Sequence, residues 1–271
     1  MRSVLGVAAG LLAAAFAPAD VVTLNPVADN TLYEATIDLS NGAGTHCFVG
    51  NNRNGERRRA ILRFNLTTIP PGSRINGAQL TLSMTRTLAG GQPIAIHRCL
   101  SGWSEGTDDA PSQEGGGANA TAGSTTWFHR NYNAVFWTTP GGDFDPAVSA
   151  SISVSGQGSY TWTGAGLAAD VKAWVDTPAT NFGWILTGNE STGTTAKRFE
   201  TRESTSPPRL QIDFTPPCIG DLTGDRVVDE LDLGQLLSAW QSGAGGDVDG
   251  DGDTDESDLG LMLAHWLAVC P

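Results

Sequence analysis

Asp221-Leu-Thr-Gly-Asp225-Arg-Val-Val-Asp229-Glu-Leu-Asp232 and Asp247-Val-Asp249-Gly-Asp251-Gly-Asp253-Thr-Asp255-Glu-Ser-Asp258 are one pattern written twice, at a constant offset that carries Asp221 onto Asp247 and Asp232 onto Asp258. Each copy runs into an apolar segment of helical spacing that ends in Trp, at Trp240 and at Trp266. A hard cation such as Ca²⁺ takes six to eight oxygens, and a twelve-residue loop supplies them from positions 1, 3, 5, 7, 9 and 12. The second copy fits this register throughout. Asp247, Asp249 and Asp251 take positions 1, 3 and 5, Asp253 offers its carbonyl at 7, Asp255 stands at 9 and Asp258 at 12. Gly252 falls at position 6, where the chain turns sharply and a residue without Cβ turns most easily. A flexible acidic linker would also be rich in Asp and Gly, but it would need neither this register nor the Leu259, Leu261, Met262, Leu263 and Trp266 run behind it.

The first copy keeps Asp221, Asp225, Asp229 and Asp232, with the Val227 carbonyl at position 7. Thr223 stands where position 3 prefers a carboxylate or amide, and Arg226 brings a Cβ and a positive charge to position 6. Two Ca²⁺ sites are predicted, the second stronger than the first.

No helix leads into either loop, because Pro216-Pro217-Cys218 and Ser242-Gly243-Ala244-Gly245-Gly246 forbid one. Position 12 is Asp in both copies, where a standard EF-hand carries Glu. Paired loop–helix repeats of this kind resemble a dockerin, over residues 218–271, with Thr223 and Arg226 as departures. The resemblance implies a small helical module that binds a cohesin-like protein domain and tethers its carrier to an extracellular, polysaccharide-directed assembly. The helix starts repeat as well, Asp229-Glu230-Leu231-Asp232 against Asp255-Glu256-Ser257-Asp258. Two near-equal faces, marked by Glu230/Leu231 and Glu256/Ser257, would let a partner dock in either of two orientations.

The four Cys suit an oxidising compartment. Their placement points to Cys47–Cys99 and Cys218–Cys270, one bridge in each domain, with other pairings open. The net charge of −13 is uneven. Residues 218–271 hold ten Asp, two Glu and one Arg, a net −11, which leaves 20–217 at only −3 once Arg2 is set aside. The acidity therefore belongs to the loops, and no basic patch with interleaved aromatics points to nucleic acid. Residues 1–19 read as a signal peptide: Arg2, a short apolar run, then Ala17-Pro-Ala19 before Asp20. No stretch is long enough to span a bilayer, so a secreted monomer without a membrane span is expected.

From Asp20 the chain changes to short runs of period two between turn residues. Ile61–Leu66, Ala78–Met84, Ile94–His97, Ile152–Val154, Trp184–Leu186 and Leu210–Phe214 are the clearest. Many such strands predict a mainly β fold, an antiparallel jelly-roll β-sandwich over 20–214. Gly166–Val175 is the one helical candidate there, with Leu167, Val171, Trp174 and Val175 on one face. Residues 104–125 read as a long loop, binding or mobile, and 215–217 as a stiff linker to the 218–271 module. The series Ala28-Asp-Asn-Thr-Leu-Tyr33-Glu, Arg58-Arg59-Ala-Ile-Leu-Arg63-Phe64, Trp103-Ser-Glu105, Val171-Lys-Ala-Trp174, Asn181-Phe-Gly183-Trp-Ile-Leu186 and Lys197-Arg198-Phe199-Glu-Thr-Arg202-Glu203 is similar to the DNRLRE family of extracellular β-sandwich modules. That resemblance implies a carbohydrate-binding-module-like fold, with a less uniform ligand.

Trp127, Phe128, Tyr132 and Trp137, beside the long loop, are candidate sugar-stacking rings, weighed against burial in the core. Arg198 and Arg202, with Lys197, and the group Arg57, Arg58, Arg59 and Arg63 are candidate contacts to an acidic polysaccharide, weighed against a solvated strand end. Strand periodicity keeps Arg58 off the face shared by Arg57, Arg59 and Arg63. Glu105, Asp108, Asp109 and Glu114 offer carboxylates, but nothing sets a pair at catalytic distance. The four His show no zinc spacing. The sequence thus reads as a secreted non-catalytic binding protein, carbohydrate in the sandwich and a calcium-dependent partner at the tail. The alternatives are a structural cell-surface protein and a polysaccharide-active enzyme.

Overall fold

A computed structural model describes residues 19–36 and 38–270, so the signal-peptide reading of 1–19 falls outside the described residues except at Ala19. Two compact units divide the described chain, one from Asp20 to Pro217 and the other beginning at Cys218.

The first unit is mainly antiparallel β. Its strands are β1 (Asp20–Leu24), β2 (Pro26–Tyr33), β3 (Leu39–Ser40), β4 (His46–Asn51), β5 (Arg57–Phe64), β6 (Arg74–Thr87), β7 (Gln92–Arg98) and β8 (Ala118–Asn119). They continue with β9 (His129–Asn131), β10 (Val135–Phe136), β11 (Ala150–Val154), β12 (Gly158–Thr163), β13 (Trp184–Thr187), β14 (Lys197–Glu200) and β15 (Arg209–Thr215). Helix α1 (Ala165–Asp176) lies between β12 and β13. The main sheet runs β1-β15-β6-β14-β4-β5-β13-β7-β11, with β12 added to β6 and β2 to β5. The sheet curls, so that Leu80, Leu82 and Met84 of β6 share one core with Leu62 of β5, Ile94 and Ile96 of β7 and Trp184 of β13. Leu167, Val171, Trp174 and Val175 of α1 enter the same core, on the face their spacing predicts. Asp170 is buried with them, and its Oδ2 accepts from Ser149 Oγ and from Trp184 Nε1 at 2.8 Å.

Strand β5 is buried on both faces. Its even residues, Ala60, Leu62 and Phe64, point into that core. Its odd residue Ile61 belongs to a second cluster with Leu32, Ile185, Trp103, Trp127 and Trp137, laid over the sheet by the chain between β7 and β11. Thr215 is the last residue of β15 and pairs with Arg74, so the predicted linker 215–217 gives up its first residue to the sheet.

The predicted Cys47–Cys99 bridge does not form. Both cysteines are free and buried. Cys47 sits on β4 in the first core and Cys99 follows β7 in the second. Strands β5 and β13 lie between β4 and β7. Three strand spacings amount to roughly 14 Å, twice the Cα separation a disulfide tolerates. Cys218–Cys270 does form, with Cα atoms 5.4 Å apart.

The second unit holds α2 (Glu230–Ser238) and α3 (Glu256–Ala264) around Val228, Leu236 and Met262. Among the described residues no helix is long and apolar enough to cross a membrane.

Candidate functional site

Helices α2 and α3 start on the residues that close the acidic loops. Asp229 and Asp255 are their N-caps, accepting from the N–H of Leu231 and of Ser257. Asp232 and Asp258 complete a capping box from the third helical position. Both are fully buried. Asp258 Oδ1 accepts from Val248 N at 2.6 Å and Asp249 N at 3.0 Å, while Oδ2 accepts from Asp255 N at 2.8 Å. Asp232 repeats this on Leu222, Thr223 and Asp229, each at 2.9 Å. Burial pushes both carboxyls up, but the accepted N–H groups outweigh it and hold them below the usual range.

Position 1 repeats as well. Asp247 accepts from Gly250 and Gly252, and Asp221 from Gly224, Asp225 and Arg226. Position 6 requires a left-handed residue, and Arg226 takes φ 75° where its counterpart Gly252 has φ 103°. The Cβ objection raised from sequence is therefore a real strain, of about 1 kcal/mol or more. One carboxylate oxygen from each of Asp221, Asp225 and Asp232 lies within 4.8 Å of the others, and the same holds for Asp247, Asp249 and Asp258 and for Asp253, Asp255 and Asp258. The charge of Asp251 raises the carboxyl of Asp253, a mutual repulsion that a divalent cation would relieve. All-oxygen donors at this separation fit Ca²⁺. Thr223 is no closer to a carboxylate role than its type allows, with Oγ1 3.5 Å from Asp221 Oδ1.

The two loops are tied crosswise. Leu267 N, in the tail after α3, donates to Val228 O of the first loop at 2.8 Å. Gln241 N, in the tail after α2, donates to Thr254 O of the second loop at 3.0 Å. The two ties are equivalent under the repeat, which carries Val228 onto Thr254 and Gln241 onto Leu267, and Gln241 and Leu267 share a left-handed φ. Glu230, Leu231, Glu256 and Ser257 are all exposed. So are Leu237 and Leu263, at 53% and 52%, an apolar pair at matching places in the two copies.

In the first unit the aromatic candidates are mostly core. Trp127 and Trp137 are 1% and 4% exposed, so neither ring can stack a sugar. The guanidinium groups of Arg57 and Arg59 each lie 4.8 Å from the Trp127 ring, and Trp137 Nε1 donates to Thr126 O. Phe128 packs against the same cluster, and Tyr132 is half-buried, edge-on to His129. Phe136, not singled out from sequence, is the exposed ring of this region at 62%.

The arginines separate into spent and free. Arg57 pairs with Glu34, Arg59 with Glu190, and Arg202 forms a two-bond fork with Glu105. Arg202 thus has two of its guanidinium nitrogens engaged by Glu105, although its side chain stays exposed. Lys197 is fully buried and its Nζ donates to the carbonyls of Ala89, Gly90 and Ser155. Arg58 lies on the opposite face of β5, over the Tyr33 ring, with Nε unpartnered. It lines a groove of about 200 Å³ with Arg53, Arg86 and Arg198. Arg86 and Arg198 both donate to Gln113 Oε1, and among the described residues neither pairs with a carboxylate. A larger cavity of about 540 Å³ beside α1 is walled largely by apolar side chains such as Leu66, Ile69 and Trp174.

Three acidic residues of the long loop, Glu105, Asp108 and Glu114, are anchors, while Asp109 is exposed. Glu114 accepts from Asn41, Thr45 and the His46 backbone and ring. Asp108 accepts from Thr121 N. No family model and no curated protein matches the chain.

Proposed function

We propose that residues 218–271 are a calcium-ordered docking module of the dockerin kind, and that the curled sheet of residues 20–217 is a jelly-roll sandwich, of the DNRLRE kind, that binds an acidic polysaccharide. On this reading the chain is a secreted, non-catalytic tether. The observation that carries it is the doubling in the second unit: carboxylates at matching places in the two copies accept from matching backbone N–H groups, Asp232 in the first and Asp258 in the second. Ca²⁺ would be held by Asp247, Asp249, Asp251, Asp255 and Asp258 with the Asp253 carbonyl, and by Asp221, Asp225, Asp229 and Asp232 with the Val227 carbonyl. Its charge neutralises the acidic loops that start both helices.

Each helix then presents its own exposed face, Glu230, Leu231 and Leu237 on one and Glu256, Ser257 and Leu263 on the other. The Cys218–Cys270 bond supports the secreted setting. For the sandwich, Arg86 and Arg198, which pair with no carboxylate among the described residues, support an anionic ligand, since guanidinium forks suit carboxylate and sulfate groups.

Capture of the full chain by a panel of cohesin domains, with Ca²⁺ and with EGTA, tests the docking module. Calcium-dependent capture is expected. It should survive Glu230→Ala/Leu231→Ala or Glu256→Ala/Ser257→Ala alone and fail when both faces are changed. Loss on changing one face alone would end the two-orientation reading. Binding of the full chain to polyuronates, sulfated polysaccharides and neutral glucans tests the sandwich. Arg86→Ala/Arg198→Ala should weaken acidic binding by about tenfold or more, and binding indifferent to both changes would refute the groove.

A further inference from the structure

A third group of acids stands in the first unit, outside the loops. Asp29 on β2, Glu105 in the chain after β7 and Glu203 in the turn after β14 come from three distant parts of the sequence. One carboxylate oxygen from each lies within 4.8 Å of the others. Asp29 is 2% exposed, and its Oδ1 has no hydrogen-bond partner. Glu203 Oε2 is likewise buried and unpartnered.

The group is under-neutralised. Arg202 is its one paired cation among the described residues, through Nε and a second guanidinium nitrogen to Glu105 and through Nε to Glu203 at 2.8 Å. Asp29 Oδ2 accepts from Arg202 N, and Glu105 Oε1 accepts from Asp29 N. Three carboxylates and one guanidinium leave two negative charges, the charge a divalent ion would balance. A buried carboxylate oxygen without a partner is costly to desolvate, and a metal ion is one of the few groups that offset that cost.

We propose that Asp29, Glu105 and Glu203 form a calcium site belonging to the sheet unit, separate from the two loops of the tail. Oxygen-only donors select a hard cation. Oxygens held about 2.4 Å from one ion lie at most about 4.8 Å from each other, and Ca²⁺ accepts the irregular geometry that Mg²⁺ resists. The ion would tie β2 to the long loop and to the β14–β15 turn. Burial raises the carboxyls of Asp29 and Glu203, in keeping with a place that disfavours bare negative charge.

The test uses the full chain with both loops silenced by Asp221→Ala, Asp232→Ala, Asp247→Ala and Asp258→Ala, titrated with Ca²⁺ by calorimetry and by equilibrium dialysis. One ion per chain is expected, with a Kd at or below about 1 mM, and the ion should raise the melting temperature of the sheet unit. Glu203→Gln in that background should weaken binding at least tenfold and abolish the melting shift, with the far-ultraviolet circular dichroism of the sheet unchanged. No ion bound at about 5 mM Ca²⁺ would overturn the proposal. So would an ion retained at unchanged affinity by the Glu203→Gln chain. Neither outcome bears on the tail, whose loops are silent in both chains.

Discussion

Asp258→Asn tests folding of the tail and the proposed calcium site at a single carboxylate. The carboxylate accepts three backbone N–H groups while fully buried. Asn keeps the shape but turns one acceptor oxygen into a donor. If Oδ1 stays toward Val248 and Asp249, the new NH₂ faces Asp255 N, donor against donor, at a cost of about 1–2 kcal/mol. The two remaining bonds lose their charge assistance, roughly another 1 kcal/mol together. A loss of about 2–3 kcal/mol in a unit this small lowers its melting temperature by roughly 10–20 °C. Calorimetry of the full chain in EGTA should therefore show the transition of the second unit moved down and that of the first unit unmoved. Calcium titration should show the second loop's ion gone. Asp232→Asn perturbs the matching three bonds in the same way and should cost nearly as much. A transition within about 2 °C of wild type, together with undiminished calcium binding, would refute both the hydrogen-bond accounting and the ligand role of position 12.

Lys197→Met removes the buried ammonium that the carbonyls of Ala89, Gly90 and Ser155 share and should destabilise the first unit by about 1–3 kcal/mol; denaturant unfolding monitored on that unit gives the value, and a change under about 0.5 kcal/mol would mean that water replaces the ammonium at those carbonyls. Cys218→Ser/Cys270→Ser opens a loop of 52 residues and should cost the second unit about 4 kcal/mol, measured in calcium so that the loops stay formed. Thiol labelling should find Cys47 and Cys99 unreactive in the native chain, their thiols pushed up by burial, that of Cys99 to about 12, and two free thiols after unfolding without reductant; none would restore the bridge the sheet order forbids. Asp232 and Asp258 are held below the usual carboxylate range, so their contribution is complete above an unfolded pKa of about 4 and drains away as pH falls through the folded values. The second unit, in EGTA, should lose stability progressively below about pH 4, and a flat profile down to about pH 2.5 would contradict the sign.

Strand and helix positions were legible because period-two runs such as Leu80, Leu82 and Met84, and the Leu167, Val171, Trp174 and Val175 stripe, carry their buried face in local spacing. The acidic loops were legible for the same reason, since Asp247 to Asp258 form one contiguous register. What could not be read were the pairings between distant segments. The Cys47–Cys99 expectation failed because only the strand order puts β5 and β13 between them. Arg202 looked like a ligand contact because nothing local announces Glu105, 97 residues away. The Trp127 and Trp137 candidates fell because the chain after β7 folds back over β5, covering a face that period-two reasoning leaves to solvent. Asp29 escaped notice inside Ala28-Asp-Asn-Thr because Glu105 and Glu203 reach it only through the fold.

The crosswise ties in the tail also bear on its history. Val228 finds its backbone partner at Leu267, and Thr254 finds its own at Gln241, so each copy completes one backbone hydrogen bond only through the other. A solitary ancestor holding a single copy of the repeat would have met this need only by associating with a second molecule of its kind. Duplication and fusion would have converted that encounter into an internal contact. On that account a change in one half would be felt by its twin, and the two halves now differ at Thr223 against Asp249, Arg226 against Gly252 and Leu231 against Ser257.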